Sequence, residues 1–193
     1  MALPISGIYN GTQEKVISAS MDGQLSVISE SLELQHYVSR VKENTYQVIS
    51  VDTGITAATE TQMHIKNDDP DKLCVISFIR VQAITNTASK PVVGEYWQLG
   101  FGRTVSSGGT AATPVNTFVG SGNTASVTCT GINPTMAGTF TEIDRWYNES
   151  NNIQVWNKQG SIILGLNDTF EARLVSGGTG EAMCRVTFMM IDK

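Results

Sequence analysis

Charge is scarce in this chain. Lys and Arg number 13 and Asp and Glu 18 in 193 residues, or 16% in all, against ~25% in an average globular protein. The net charge is −5 and no block of Lys or Arg occurs. Phosphate contacts need clustered cations, which sets direct nucleic-acid binding aside. Histidine is scarcer still, with two residues, and a nucleophilic Ser or Cys needs a base beside it. His36 lies in the N-terminal stretch and His64 on the polar face of an alternating segment, so each reads as a surface or packing histidine. The chain has no Gly-x-Ser-x-Gly, no His-Glu-x-x-His and no Gly-x-x-x-x-Gly-Lys. A catalytic set, a zinc site and a cofactor site are therefore not expected. Cys74, Cys129 and Cys184 show no Cys-x-x-Cys spacing and sit in strand-like runs, which suits reduced core thiols. No apolar run approaches the ~18 residues of a membrane span. The first residues lack a basic and apolar leader pattern, so synthesis in a reducing cytoplasm is expected.

Strand-forming residues take the place of charge. Thr, Ser, Asn and the 18 Gly together make up roughly a third of the chain, a composition of strands and turns. In Thr169–Val175, Phe170, Ala172 and Leu174 share one face and Thr169, Glu171 and Arg173 the other. After the loop SGGTGE, Ala182, Cys184, Val186, Phe188 and Met190 repeat the rhythm. A period of two predicts strands with one buried face, here paired as a terminal hairpin. Met63 and Ile65 alternate with Gln62, His64 and Lys66, and the turn Asn67–Asp71 leads into LCVISFIRVQ at Leu73–Gln82. That run, apolar on both faces, predicts a central strand covered on both sides and a second hairpin. Further strands are predicted at Thr45–Val51, Tyr96–Arg103, Asn116–Val119, Ala125–Thr130, Phe140–Trp146, Ile153–Trp156 and Ser161–Leu166. The fold class is all-β, an antiparallel β-sandwich of about 9–11 short strands over residues 44–193. Thr104–Pro114 and Gly120–Gly138 are long loops of the kind that make contacts.

Residues 1–43 lack this rhythm and read as an N-terminal arm or as an ordinary frayed first strand. Within them, Ser31–Glu43 fits either a short amphipathic helix through Leu34, Tyr37, Val38 and Val41 or an extended segment. Two acidic groups test for chemistry. Asn67, Asp68, Asp69 and Asp71 lack the ligand spacing of a calcium loop, and Pro70 suits a plain turn. Glu142 and Asp144 would share a strand face like a glycosidase pair, but Arg145 and Trp146 beside them favour ion pairing or packing. Trp97 aligns with Leu99 and Phe101 as core. Trp146, Tyr147 and Trp156 flank the polar turn NESNN and are the candidate contact or ligand surface.

The hairpin HIKNDDPDKLCVISFIRVQ, the segment MDGQLSVIS at Met21–Ser29 and the end LNDTFEARLVSGGTGEAMCRVTFMMIDK resemble small jelly-roll-like β-sandwich virion proteins of tailed bacteriophages. These include head decoration or cement proteins and head-fibre or tail-surface proteins. The resemblance spans residues 21–193 and is one of strand and turn pattern, with no invariant motif; Thr104–Gly138 has no counterpart. It implies a non-enzymatic homo-oligomer, often a homotrimer, on the outer capsid surface. There it would bind the major capsid protein and bridge neighbouring capsomers, with no catalytic residues to carry over. The alternative is a carbohydrate- or receptor-binding module of a tail or fibre, using Trp146, Tyr147 and Trp156.

Overall fold

The computed structural model describes residues 5–9, 13–19, 25–31, 38–39, 42–86, 94–148 and 151–193. Three strands come first: β1 (Ile5–Tyr9), β2 (Gln13–Ala19) and β3 (Leu25–Ser31). They form their own antiparallel sheet in the order β1-β2-β3. The N-terminal stretch is thus strand-forming despite its weak rhythm. Of the helix considered over Ser31–Glu43, Ser31 ends β3 and, among the described residues, Val38 and Ser39 are helical; Leu34, His36, Tyr37 and Val41 lie outside the described residues.

Eleven strands follow from Thr45 to Asp192. They are β4 (Thr45–Ile55), β5 (Thr59–Asn67), β6 (Lys72–Thr85), β7 (Tyr96–Ser107), β8 (Thr110–Ala111), β9 (Val115–Asn116), β10 (Val127–Gly131), β11 (Thr135–Tyr147), β12 (Gln154–Leu164), β13 (Thr169–Val175) and β14 (Gly180–Asp192). One sheet runs β11-β7-β13-β5-β10-β8 and the other β12-β6-β14-β4-β9. The expected all-β sandwich is present, although β6 at 14 residues and β14 at 13 are not short.

The strand order identifies the winding. Eight principal strands, taken in sequence, pair first with eighth (β4, β14), second with seventh (β5, β13), third with sixth (β6, β12) and fourth with fifth (β7, β11). A long antiparallel ribbon rolled up in this way is a jelly roll. The winding corrects two expected pairings. β5 and β6 lie in different sheets, as do β13 and β14. The turns Asn67–Asp71 and Ser176–Thr179 are therefore arches from one sheet to the other, and neither closes a hairpin.

The core lies between the sheets and alternates as the sequence reads. Phe170, Ala172 and Leu174 from β13 meet Cys184, Val186 and Phe188 from β14, with Met63, Ile65, Ile76, Ile79, Trp97 and Leu99 around them. Tyr46 and Phe188 stack at 5.6 Å. All three cysteines are free and buried. Burial pushes the Cys129 thiol up to about 12, and those of Cys74 and Cys184 up as well, because a thiolate is poorly solvated there.

The long loops are spent largely on the fold itself. The segment between β7 and β11 returns to the opposite side of the sandwich. There β10 pairs with β5, β8 with β10, and β9 with β4. Asn116 Nδ2 donates to the Glu43 carbonyl at 2.6 Å, and Asn123 Nδ2 to that of Lys42 at 3.0 Å. β10 thereby covers the β5 edge from Met63 to Asn67, and β9 covers β4 at Tyr46 and Gln47, which shortens the open ladders that would otherwise recruit foreign strands.

Candidate functional site

The aromatic group divides into a closure and an exposed remnant. Trp156 points inward from β12 opposite Ile79 and is 3% exposed. Trp146, half-buried on β11, stands opposite Trp97 and stacks on Trp156 at 4.1 Å. The pair seals the side of the sandwich where the two sheets end in β11 and β12. Trp156 is thus a core residue and cannot offer its face to a ligand, and the three-residue platform is not assembled. Tyr147 is 53% exposed and meets the edge of Tyr96 at 5.7 Å, while the Arg145 guanidinium lies 4.4 Å from the Tyr96 ring centre. Tyr96, half-buried and outside the sequence-based group, thus adjoins the exposed Tyr147.

The acidic candidates are held by neighbours. Glu142 accepts from Arg145 Nε and Nη2, both at 2.8 Å, and from Gln98 Nε2. Hydrogen bonding to Arg145 holds the Glu142 carboxyl below its ordinary range. Asp144 pairs instead with Lys158, and an irregularity in the ladder falls between the two carboxylates. In the Asn67–Asp71 arch, Asp69 Oδ1 accepts the backbone N–H groups of Asp71 and Lys72 at 2.9 and 3.0 Å. Asp68 accepts from Lys66 and Thr128. Asn67, fully buried, donates to the Lys72 and Leu164 carbonyls, each at 2.9 Å. These side chains build the arch, and no metal-type cluster of His, Cys, Asp and Glu occurs among the described residues.

His64 is buried at 2% exposure, although it alternates away from the core. A roof explains this. Gly102 and Gly138 adopt φ of +95° and +97°, and a Cβ on Gly102 would come within 2.8 Å of the Thr139 carbonyl. This close, left-handed crossing favours glycine. It turns the ends of β7 and β11 across the outer face of β13 as far as β5. Arg103 consequently reaches Glu171 with Nε at 3.0 Å and Nη2 at 2.6 Å. The Thr61 hydroxyl donates to the same carboxylate at 2.6 Å, and His64 Nε2 lies 3.1 Å from the Arg103 carbonyl. Burial lowers the His64 pKa and favours the neutral ring. A register shift at Gln62 turns Thr61 outward to meet Glu171. The result is a closed polar brace between three strands.

Two further open surfaces stand out among the described residues. A cleft of about 480 Å³ lies between the sheets on the β11–β12 side, lined by Phe101, Ile143, Ile163, Leu164 and Phe170 with Asn167 and Asp168 among the polar residues. The second is the outer face of the β12-β6-β14-β4 sheet. One row across it reads Val155, Arg80, Arg185, Ile49. The row on one side contains Gln82, Met183 and Val51, and on the other Asn157, Phe78, Thr187 and Gln47. Ile49, Val51, Ile84 and Val155 are 38–51% exposed. Among the described residues, Val38 covers its far end, where it packs on Val75 and Met189. Leu73–Gln82 therefore forms a central strand with its second face partly open, where cover on both faces is expected from its composition. The signal in the sequence is a single charged residue, Arg80 or Arg185, in each of the otherwise uncharged runs Leu73–Gln82 and Ala182–Ile191.

The chain is thus a jelly-roll sandwich with a roofed polar brace on one sheet and an open amphipathic face on the other. Comparison with family models, curated proteins and solved structures finds no match.

Proposed function

We propose that this chain is a non-enzymatic virion structural protein, a capsid decoration or cement protein that adheres to a shell and bridges neighbouring capsomers. The observation that carries the reading is the outer face of the β12-β6-β14-β4 sheet. Four aliphatic side chains there stand exposed beside two arginines on a rigid scaffold. An exposed amphipathic sheet face of this kind suits protein contact. The strands of residues 5–31 pair with one another in a sheet of their own among the described residues, and they supply a separate arm for neighbours, including other copies in a homotrimer. Many modest contacts on a symmetric lattice add through effective concentration.

The test is co-sedimentation of the purified protein with phage-like shells, together with its mass in solution. Retention on shells as an oligomer supports the reading. A monomer that never pellets with any shell overturns it. Deletion of residues 1–23 should weaken attachment while the sandwich stays folded.

A second reading, a carbohydrate- or receptor-binding module, is favoured by the exposed Tyr147 beside Tyr96 and Arg145. Tyrosine faces next to hydrogen-bonding groups suit sugar rings. A glycan array separates the readings: a hit lost in Tyr147→Ala supports this one, and a blank array removes it.

A further inference from the structure

We propose that the outer face of the β12-β6-β14-β4 sheet takes an acidic, aliphatic protein segment, whose carboxylates bind Arg80 and Arg185 together while its apolar side chains cover Ile49, Val51 and Val155. The inference deepens the contact reading above and rests on it for the biological setting only. Arg80 and Arg185 stand directly opposite each other on β6 and β14. Directly opposed cross-strand residues have Cβ atoms ~5 Å apart, and like charges there repel. Neither guanidinium has an ion pair or hydrogen bond among the described residues, and the Nε atoms of both are shielded from solvent without a partner.

The side chains of the adjoining rows, Gln82, Met183 and Val51 on one side and Phe78, Thr187 and Gln47 on the other, are all uncharged. Along β14 the nearest carboxylate on that face is Glu181, two rows away. An adjacent pair of guanidiniums offers forked donors suited to carboxylates. The aliphatic ends of the row, Val155 and Ile49, select a partner that is apolar on either side of its acids. That pattern distinguishes a protein segment from a nucleic acid, which would demand a wider field of cations. The net charge of −5 points the same way.

The experiment uses full-length protein and a labelled peptide of alternating Glu and Val, with the Gln–Val peptide and a duplex DNA as comparators, read by fluorescence anisotropy. The Glu–Val peptide should bind at least tenfold more tightly than Gln–Val. The double variant Arg80→Gln/Arg185→Gln should lose at least tenfold in affinity while its circular dichroism and Tm are retained. A cysteine placed at Ile49 reports occupancy, because Cys74, Cys129 and Cys184 are buried. It should react with a thiol reagent in the free protein and be protected by the Glu–Val peptide. No binding of Glu–Val, equal binding of Gln–Val, stronger binding of DNA, or an Ile49→Cys thiol already shielded in the free monomer would each overturn the proposal. The last result would mean that the chain's own N-terminal residues occupy the face. Peptide binding without shell binding would leave this inference standing and remove the virion reading.

Discussion

Replacing Arg103 by Met tests whether the roof over β13 is held by its ion pair. Glu171 is 1% exposed and accepts three donors: the Thr61 hydroxyl, Arg103 Nε and Arg103 Nη2. Arg103→Met removes two of them and strands a carboxylate away from water. Breaking one partner of a buried pair costs about 3–5 kcal/mol. The Arg103 side chain is 19% exposed, so water partly reaches its position, and the lower end, about 3 kcal/mol, applies. At roughly 2–4 °C per kcal/mol for a chain of this size, Tm should fall by about 6–12 °C. Adding Glu171→Gln, which keeps an acceptor for Thr61 and removes the charge, should recover more than half of that loss. Thermal and guanidinium unfolding of the wild type, both singles and the double, followed by near-ultraviolet circular dichroism, closes the cycle. A single-variant loss below ~1 kcal/mol, or a double variant as unstable as the sum of the singles, would refute the assigned role of the pair.

Three further outcomes follow from the same geometry. His64 has its pKa lowered from 6.5 mainly by burial, so the unfolded chain takes up a proton that the folded one resists. Stability should fall as pH drops below about 6.5 and level off once pH passes below the folded value, with a slope of at most ~1.4 kcal/mol per pH unit; guanidinium midpoints of His64→Gln across this range should lose that component. Trp156→Ala should cost about 3–5 kcal/mol as a core truncation, whereas Tyr147→Ala should stay within ~0.5 kcal/mol. Equal costs in chemical denaturation would contradict the assignment of one to the core and the other to the surface. In native protein at pH 8, Cys74, Cys129 and Cys184 should not react with a thiol reagent, because burial holds all three protonated; three reactive thiols appearing only in denaturant is the expected titration.

Much of the wall of this sandwich is legible residue by residue, and its connections are not. Alternation in Thr169–Val175 and Ala182–Met190 correctly marks the core side of both strands, because side-chain direction along a strand is local geometry. Those strands nevertheless pair with β5, β7, β4 and β6, never with each other. A Gly-rich arch between sheets and a hairpin turn use the same residues. His64 shows a different limit. Its place on the polar side of β5 was readable, but the cover supplied by Arg103 and the crossing at Gly102 and Gly138 comes from segments 39 or more residues away.

Composition and periodicity alone determined an all-β chain with a mixed apolar core, reduced thiols and sparse charge, since each follows from residue type and spacing of two. Tertiary structure alone decided the jelly-roll winding, the burial of Trp156, the return of the β7–β11 segment to pair with β4 and β5, and the meeting of Arg80 with Arg185. Each depends on which distant strands become neighbours, and a pairing partner a hundred residues away leaves no mark on the local alternation of either strand.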